Sequence, residues 1–90
     1  MLIEFDAAKR GKTLLERGLD FSHCQAVFAG PELTQLDSRS EYGEDRYITF
    51  GLLDASWVVV VWTARGANRR IISMRFANER EIKRYASSLG

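Results

Sequence analysis

Apolar and polar positions change period several times along the chain, and each change marks an element. Leu2 to Phe5 is a short apolar run with Glu4 facing out, which predicts a strand. Ala7, Gly11, Leu14, Leu15 and Gly18 then recur at helical spacing, predicting a helix over about residues 7–17 whose polar side carries Lys9, Arg10, Lys12, Glu16 and Arg17. Asp6 stands where a cap accepts from the first turn, and Gly18 where a helix ends in the left-handed conformation. A second, shorter helix follows with Cys24, Val27 and Phe28 on its buried face. A Ser22–Gln25 capping box or Asp20 begins it, and Ala29-Gly30-Pro31 stops it.

Beyond residue 32 the period shortens to two. Leu33 to Leu36 predicts a short strand, the polar segment Asp37 to Asp45 a mobile loop, and Arg46 to Leu52 a strand with Ile48, Phe50 and Leu52 on one face. Asp54-Ala55-Ser56 turns the chain into Trp57 to Phe76, two β-branched and aromatic arms about a Gly66-Ala67-Asn68 break, which reads as a hairpin. Val58 to Val61 is apolar at every position, so it predicts a central strand covered on both faces. Parity sets Trp57 and Trp62 on opposite faces, groups Arg65 with Thr63 and Val61, and groups Arg75 with Ser73 and Ile71. Asn78 and Glu81 lie at capping-box spacing before a last helix whose inward stripe is Ile82, Tyr85, Ala86 and Leu89. The expected fold class is α+β, with a four- to five-stranded, mostly antiparallel sheet. Two N-terminal helices and one C-terminal helix pack on it, in a single domain spanning residues 1–90.

Composition narrows the class. A hydrophobic share of 46% with 28% charged residues excludes a disordered chain. The net charge of +1 conceals an asymmetry: residues 1–64 carry six basic and ten acidic side chains, and residues 65–90 carry seven and two. The C-terminal third therefore offers a basic surface suited to phosphate or to an acidic partner. Cys24 is the single cysteine, so no intrachain disulfide or CxxC metal site exists. The N-terminus lacks the pattern of a signal peptide and no run has the length of a membrane span, so a soluble, cytoplasmic protein is expected.

His23 and Cys24 are adjacent, but neighbours on a helix point about 100° apart and do not form a nucleophile–base pair. No Gly-rich phosphate loop and no HExxH motif is present. What remains is a basic set, Lys9, Arg46, Arg65, Arg70 and Arg75, together with Tyr85. Two readings of Arg75 stay open: an anion ligand, or a structural ion pair with Glu79 or Glu81.

Several strings, in order, resemble one family. RIISMRFANEREIKRY (70–85) is similar to the R-I-I-S-A-R-x-A-x-x-x-E-x-x-x-Y end of BrnT-type toxins, small RelE-superfamily ribonucleases of bacterial type II toxin–antitoxin pairs. GEDRYITFG (43–51), VVVVWTARG (58–66), FDAAK (5–9) and RGLDFSHCQAVF (17–28) resemble further segments of that family. Lys9, Arg46, Thr63, Arg65, Ser73, Arg75, Glu81 and Tyr85 match its pattern residue by residue. The family's N-x-x-K-H-G is represented by Thr13, Glu16, Arg17 and Gly18, so an arginine stands at the histidine position.

The resemblance implies a metal-independent, cofactor-free endoribonuclease that cleaves mRNA, slows translation and is neutralised by a cognate ribbon-helix-helix antitoxin. It also implies a two-plus-two heterotetramer that meets DNA only through the antitoxin. The implied catalytic set is Arg65, Arg75, Arg46, Lys9 and Tyr85. Arg17 at the histidine position keeps open the alternative of a binding module that docks the antitoxin and contributes to operon autoregulation without useful cleavage.

Overall fold

A computed structural model describes residues 1–38 and 43–89. Its elements in chain order are β1 (Ile3–Phe5), α1 (Ala7–Arg17), a 3₁₀ turn (Phe21–His23) running into α2 (Cys24–Ala29), β2 (Glu32–Leu36), β3 (Arg46–Leu53), β4 (Ser56–Arg65), β5 (Asn68–Phe76) and α3 (Glu79–Leu89). Among the described residues the strands form one mixed sheet of order β1-β5-β4-β3-β2. Every pairing is antiparallel except that of β1 with β5. The uninterrupted apolar run thus lies in the central strand, and Val58, Val59 and Val60 are all buried. The segment read as a mobile loop, Asp37 to Asp45, includes residues 39–42, which lie outside the described residues. At its start Asp37 is buried and its N–H donates to the Arg46 carbonyl, carrying the β2–β3 ladder one step further.

The two faces of β4 serve different layers. Val58, Val60 and Trp62 turn toward Leu19, Phe21, Cys24 and Val27, and with Ile71 and Met74 they make the main core. Trp57, on the opposite face, stacks on Phe50. Tyr85 of α3 tilts against the same Phe50 ring, so α3 covers that second face in part. Asn78 and Glu81 form the expected capping box: each backbone N–H donates to the other's side chain, at 2.9 and 2.8 Å. Asp20 caps the 3₁₀ turn that leads into α2, accepting from the Ser22 N–H, while α2 itself has no side-chain cap and Gln25 donates instead to the Met1 carbonyl. Among the described residues no helix is long and apolar enough to cross a membrane.

Two expectations are corrected. The apolar positions of α1 do not form its buried face: the helix buries no residue fully, and Leu15 is 88% exposed. Polar groups anchor it instead. Arg10 donates twice to the Asp20 carboxylate at 2.8 Å, and Arg17 Nη1 donates to the Met74 carbonyl at 2.9 Å. These arginines are seven residues apart and so share the inward side. The helix still ends where expected, with Gly18 at φ 70° and its N–H donating to the Leu14 carbonyl.

The second correction concerns parity in β5. Val61 pairs with Ser73 and Trp62 with Ile71, which leaves Ile72 as an extra residue, a β-bulge. The bulge turns Ile71 into the main core, away from the face that carries Ser73 and Arg75.

Candidate active site

Lys9, Thr13, Glu16 and Arg17 follow one another at helical spacing, with Lys12 beside them, so α1 presents them along one face. That face borders the half of β5 that β1 leaves uncovered, because β1 pairs only with Arg69, Arg70 and Ile71. The result is a cleft of about 200 Å³ between α1 and β5, floored by Ile72 and Ser73. The bulge is what brings Ile72 to this edge. Lys9 and Lys12 supply positive charge, Glu16 supplies a carboxylate, and Arg17 is occupied at the Met74 carbonyl. The three positions where this chain departs from the resembled motif, Thr13, Glu16 and Arg17, therefore all line one cleft.

A second, larger cleft of about 320 Å³ opens between α3 and the sheet. Leu33, Ile48, Phe50, Val59 and Val61 give it apolar walls, and Arg75, Glu81 and Tyr85 stand with them. Ser73 lines this cleft as well as the first, so the two spaces meet at one hydroxyl-bearing residue.

Arg75 is paired. Its Nη1 and Nη2 donate to the two Glu81 oxygens at 2.8 and 2.9 Å, so the ion-pair reading holds and the partner is Glu81, not Glu79. Glu79 lies 3.9 Å from Lys83 on the helix surface. The Arg75 guanidinium, with help from the Asn78 N–H, holds the Glu81 carboxyl below the usual carboxylate range. The pair fixes the plane of the Arg75 fork at the cleft and offsets its charge.

The sequence-derived set is divided by the fold. Arg75 and Tyr85 line the larger cleft, and Lys9 lines the adjoining one. Arg46 pairs across the ladder with Thr63, and Arg65 with Asn68 at the hairpin end, where its Nη2 lies 3.5 Å from Glu44. Val59 is the residue opposite Arg75. At about 3.3 Å per residue Arg65 is therefore roughly 20 Å, and Arg46 roughly 13 Å, from Arg75 along the strand. Arg70 faces Thr63, in the same row as Arg46. Arg69 is spent on structure, its guanidinium 4.1 Å from the Trp62 ring centroid and 4.5 Å from that of Phe28.

Cys24 is inert as a nucleophile. It is fully buried, and burial followed by the nearby Asp20 charge pushes its thiol up to about 12. His23, its exposed neighbour, stands outside both clefts.

Sequence reasoning missed Lys12 and Gln35 as lining residues. The spacing of Lys9, Lys12, Thr13 and Glu16 contained the signal for the first. Nothing local signals Gln35, which reaches the larger cleft only through the pairing of β2 with β3.

The family model described as "Ribonuclease toxin, BrnT, of type II toxin-antitoxin system" matches residues 5–81. That span runs from the end of β1 to the first turn of α3 and includes every cleft residue named above except Tyr85. No curated protein matches the chain. The chain belongs to the BrnT family of ribonuclease toxins of type II toxin–antitoxin systems.

Proposed function

We propose that the chain is a metal-independent endoribonuclease that cleaves mRNA, with the reacting phosphate held in the cleft between α1 and β5. The observation that carries this reading is the place of Ser73: a basic cleft with its own carboxylate adjoins an apolar, aromatic-walled one, and Ser73 lines both. A ribonucleotide has the same two parts, an anionic backbone and a flat base.

The chemistry is attack of the ribose 2′-oxygen on the adjacent phosphorus with loss of the 5′-oxygen, giving a 2′,3′-cyclic phosphate and a 5′-hydroxyl. Glu16 accepts the 2′-hydroxyl proton. Lys9 and Lys12 stabilise the negative charge that builds on the non-bridging oxygens. Tyr85, from the adjoining cleft, supplies a proton to the departing 5′-oxygen. Arg75, preset by Glu81, positions the strand, and Arg46 and Arg65 extend the positive path along the sheet. Strand cleavage of this kind halts translation of the message. The antitoxin that the family requires is, in this reading, a ribbon-helix-helix dimer that joins two toxin chains and alone contacts DNA.

One observation favours a second reading. Arg17, at the resembled family's histidine position, is tied to the Met74 carbonyl and contributes no proton exchange. A chain with that arrangement serves as an antitoxin-docking module with little cleavage.

Incubating antitoxin-free protein with end-labelled RNA in EDTA separates these. The ribonuclease reading expects cyclic-phosphate ends and a loss on the order of 10²–10³ in rate for Lys9→Ala. Cleavage abolished by EDTA defeats the metal-free route, and no cleavage under any condition leaves the docking module.

A further inference from the structure

The larger cleft contains polar groups to which the proposed reaction assigns no role. Gln35 reaches it from β2 and Ser73 from β5. Among the described residues, neither the Gln35 amide nor the Ser73 hydroxyl has a hydrogen-bond partner. The aromatic part of the wall is Phe50 and Tyr85, whose rings meet at 5.4 Å, and Trp57, which does not itself line the cleft, stacks on Phe50 at 4.9 Å with the rings 12° from parallel.

The chemistry of this lining discriminates among ligands. A phosphate would face the Glu81 carboxylate, with Arg75 already engaged by it in two hydrogen bonds. An aliphatic side chain would cover the amide and the hydroxyl without satisfying either. A flat heteroaromatic ring answers both requirements, because its faces are apolar and its rim carries adjacent donors and acceptors. At about 320 Å³ the cleft lies at the lower end of the range for small-molecule sites. Because Ser73 lines both clefts, a base seated here lies next to the basic cleft, where the attached backbone would run past Lys9 and Lys12.

The geometry points to a nucleobase-binding pocket between α3 and the sheet, with Gln35 reading the edge of the base. An amide carries one acceptor and two donors, so it pairs bidentately with a base edge of matching order and discriminates against the others. This assignment rests on the ribonuclease reading and adds to it the origin of base preference.

Trinucleotides with 2′-O-methyl riboses lack the attacking hydroxyl and so isolate binding from cleavage. Titrated into the ¹⁵N-labelled full chain, a trinucleotide of the preferred sequence is expected to shift the Gln35 side-chain amide and the Trp57 indole resonances. Gln35→Leu, a change on an exposed part of an edge strand, is expected to reduce the ratio of affinities for preferred over other bases on the order of tenfold. The cleavage preference on a random-sequence RNA should fall by the same factor. Shifts confined to Lys9, Lys12 and Glu16 would overturn the pocket and leave the ribonuclease reading standing. Absence of any binding together with absence of RNA cleavage would remove both. If Gln35 and Trp57 respond to a cognate antitoxin and to no trinucleotide, the occupant is a protein side chain and the assignment is overturned.

Discussion

Arg75 and Glu81 grip each other fork to fork, Nη1 on Oε1 at 2.8 Å and Nη2 on Oε2 at 2.9 Å. The same carboxylate accepts from the Asn78 N–H, so it ties the end of β5, the connecting turn and the first turn of α3 into one unit. That unit sets the position of α3 over the larger cleft, and with it the place of Tyr85. Arg75 thus acts on the cleft first through geometry. Its charge is largely offset by its neighbour, whereas Lys9 and Lys12 have no ion-pair partner among the described residues.

The pair gives stability a defined pH dependence. Hydrogen bonds from Arg75, then from Asn78, hold the Glu81 carboxyl below its ordinary value. Asp20 is held low in the same sense, first by Arg10 and then by the Ser22 N–H. A carboxyl whose folded value is depressed stabilises the fold above its unfolded value, and that contribution disappears as pH falls through the folded one. Stability should therefore be flat from about pH 5 to 8 and decline below about pH 4. Urea denaturation of Glu81→Gln with Asp20→Asn should show lower stability at pH 7 and a shallower acid decline. An acid decline equal to that of the wild type would assign the dependence to other carboxyls.

Much of this arrangement was legible in the residues. The apolar run of β4, the stop at Gly18 and the Asn78–Glu81 box are local signals, and each governs a local structure. Three features were hidden because they depend on distant partners. The inward side of α1 is defined by Asp20 and the Met74 carbonyl, so arginines occupy positions that periodicity reserves for leucines. The bulge at Ile72 shifts parity by one without any Gly or Pro to announce it. The α1 cleft exists because β1 is short and pairs in parallel with the far end of the sequence. The site residues were visible as types and as spacing on α1, but their grouping about Ser73 required the register of β5.

Gly51→Ala should destabilise the fold by about 1–3 kcal/mol through overpacking. A Cβ at this position would lie 2.6 Å from Val27 Cγ1 and 3.3 Å from Glu32 Cβ. Val27 is fully buried and β-branched, so it has little room to yield. Equilibrium unfolding measures the difference, and a change below a few tenths of a kcal/mol would mean that α2 shifts on the sheet at little cost.

Lys9 and Lys12 should each contribute a phosphate contact to bound single-stranded RNA. Binding of an uncleavable 2′-O-methyl RNA, measured across salt concentrations, should lose about 0.7 from the slope of log affinity against log salt for each lysine replaced by alanine. Arg65→Ala, at the hairpin tip beside Glu44, should change the slope less. Equal effects from all three would mean that the strand follows the hairpin end as closely as the α1 cleft.

Arg17 is where structure and chemistry compete. Its guanidinium serves the fold through the Met74 carbonyl, and arginine is by nature a donor and a poor proton acceptor. Replacing it with histidine removes the long anchor and places in the cleft a group able to exchange protons near neutral pH. If proton transfer limits cleavage, Arg17→His should cut RNA faster than the wild type, on the order of 10²-fold at most. Its rate should bend with pH near 6–7, the ordinary range of an imidazole. Arg17→Gln serves as the control, because it loses the same anchor without gaining a titratable group. Comparable loss of stability in the two variants, with acceleration in the histidine variant alone, would locate the limiting step at position 17. If both variants are equally slow, Glu16 handles the proton without help and the arginine is there for the fold.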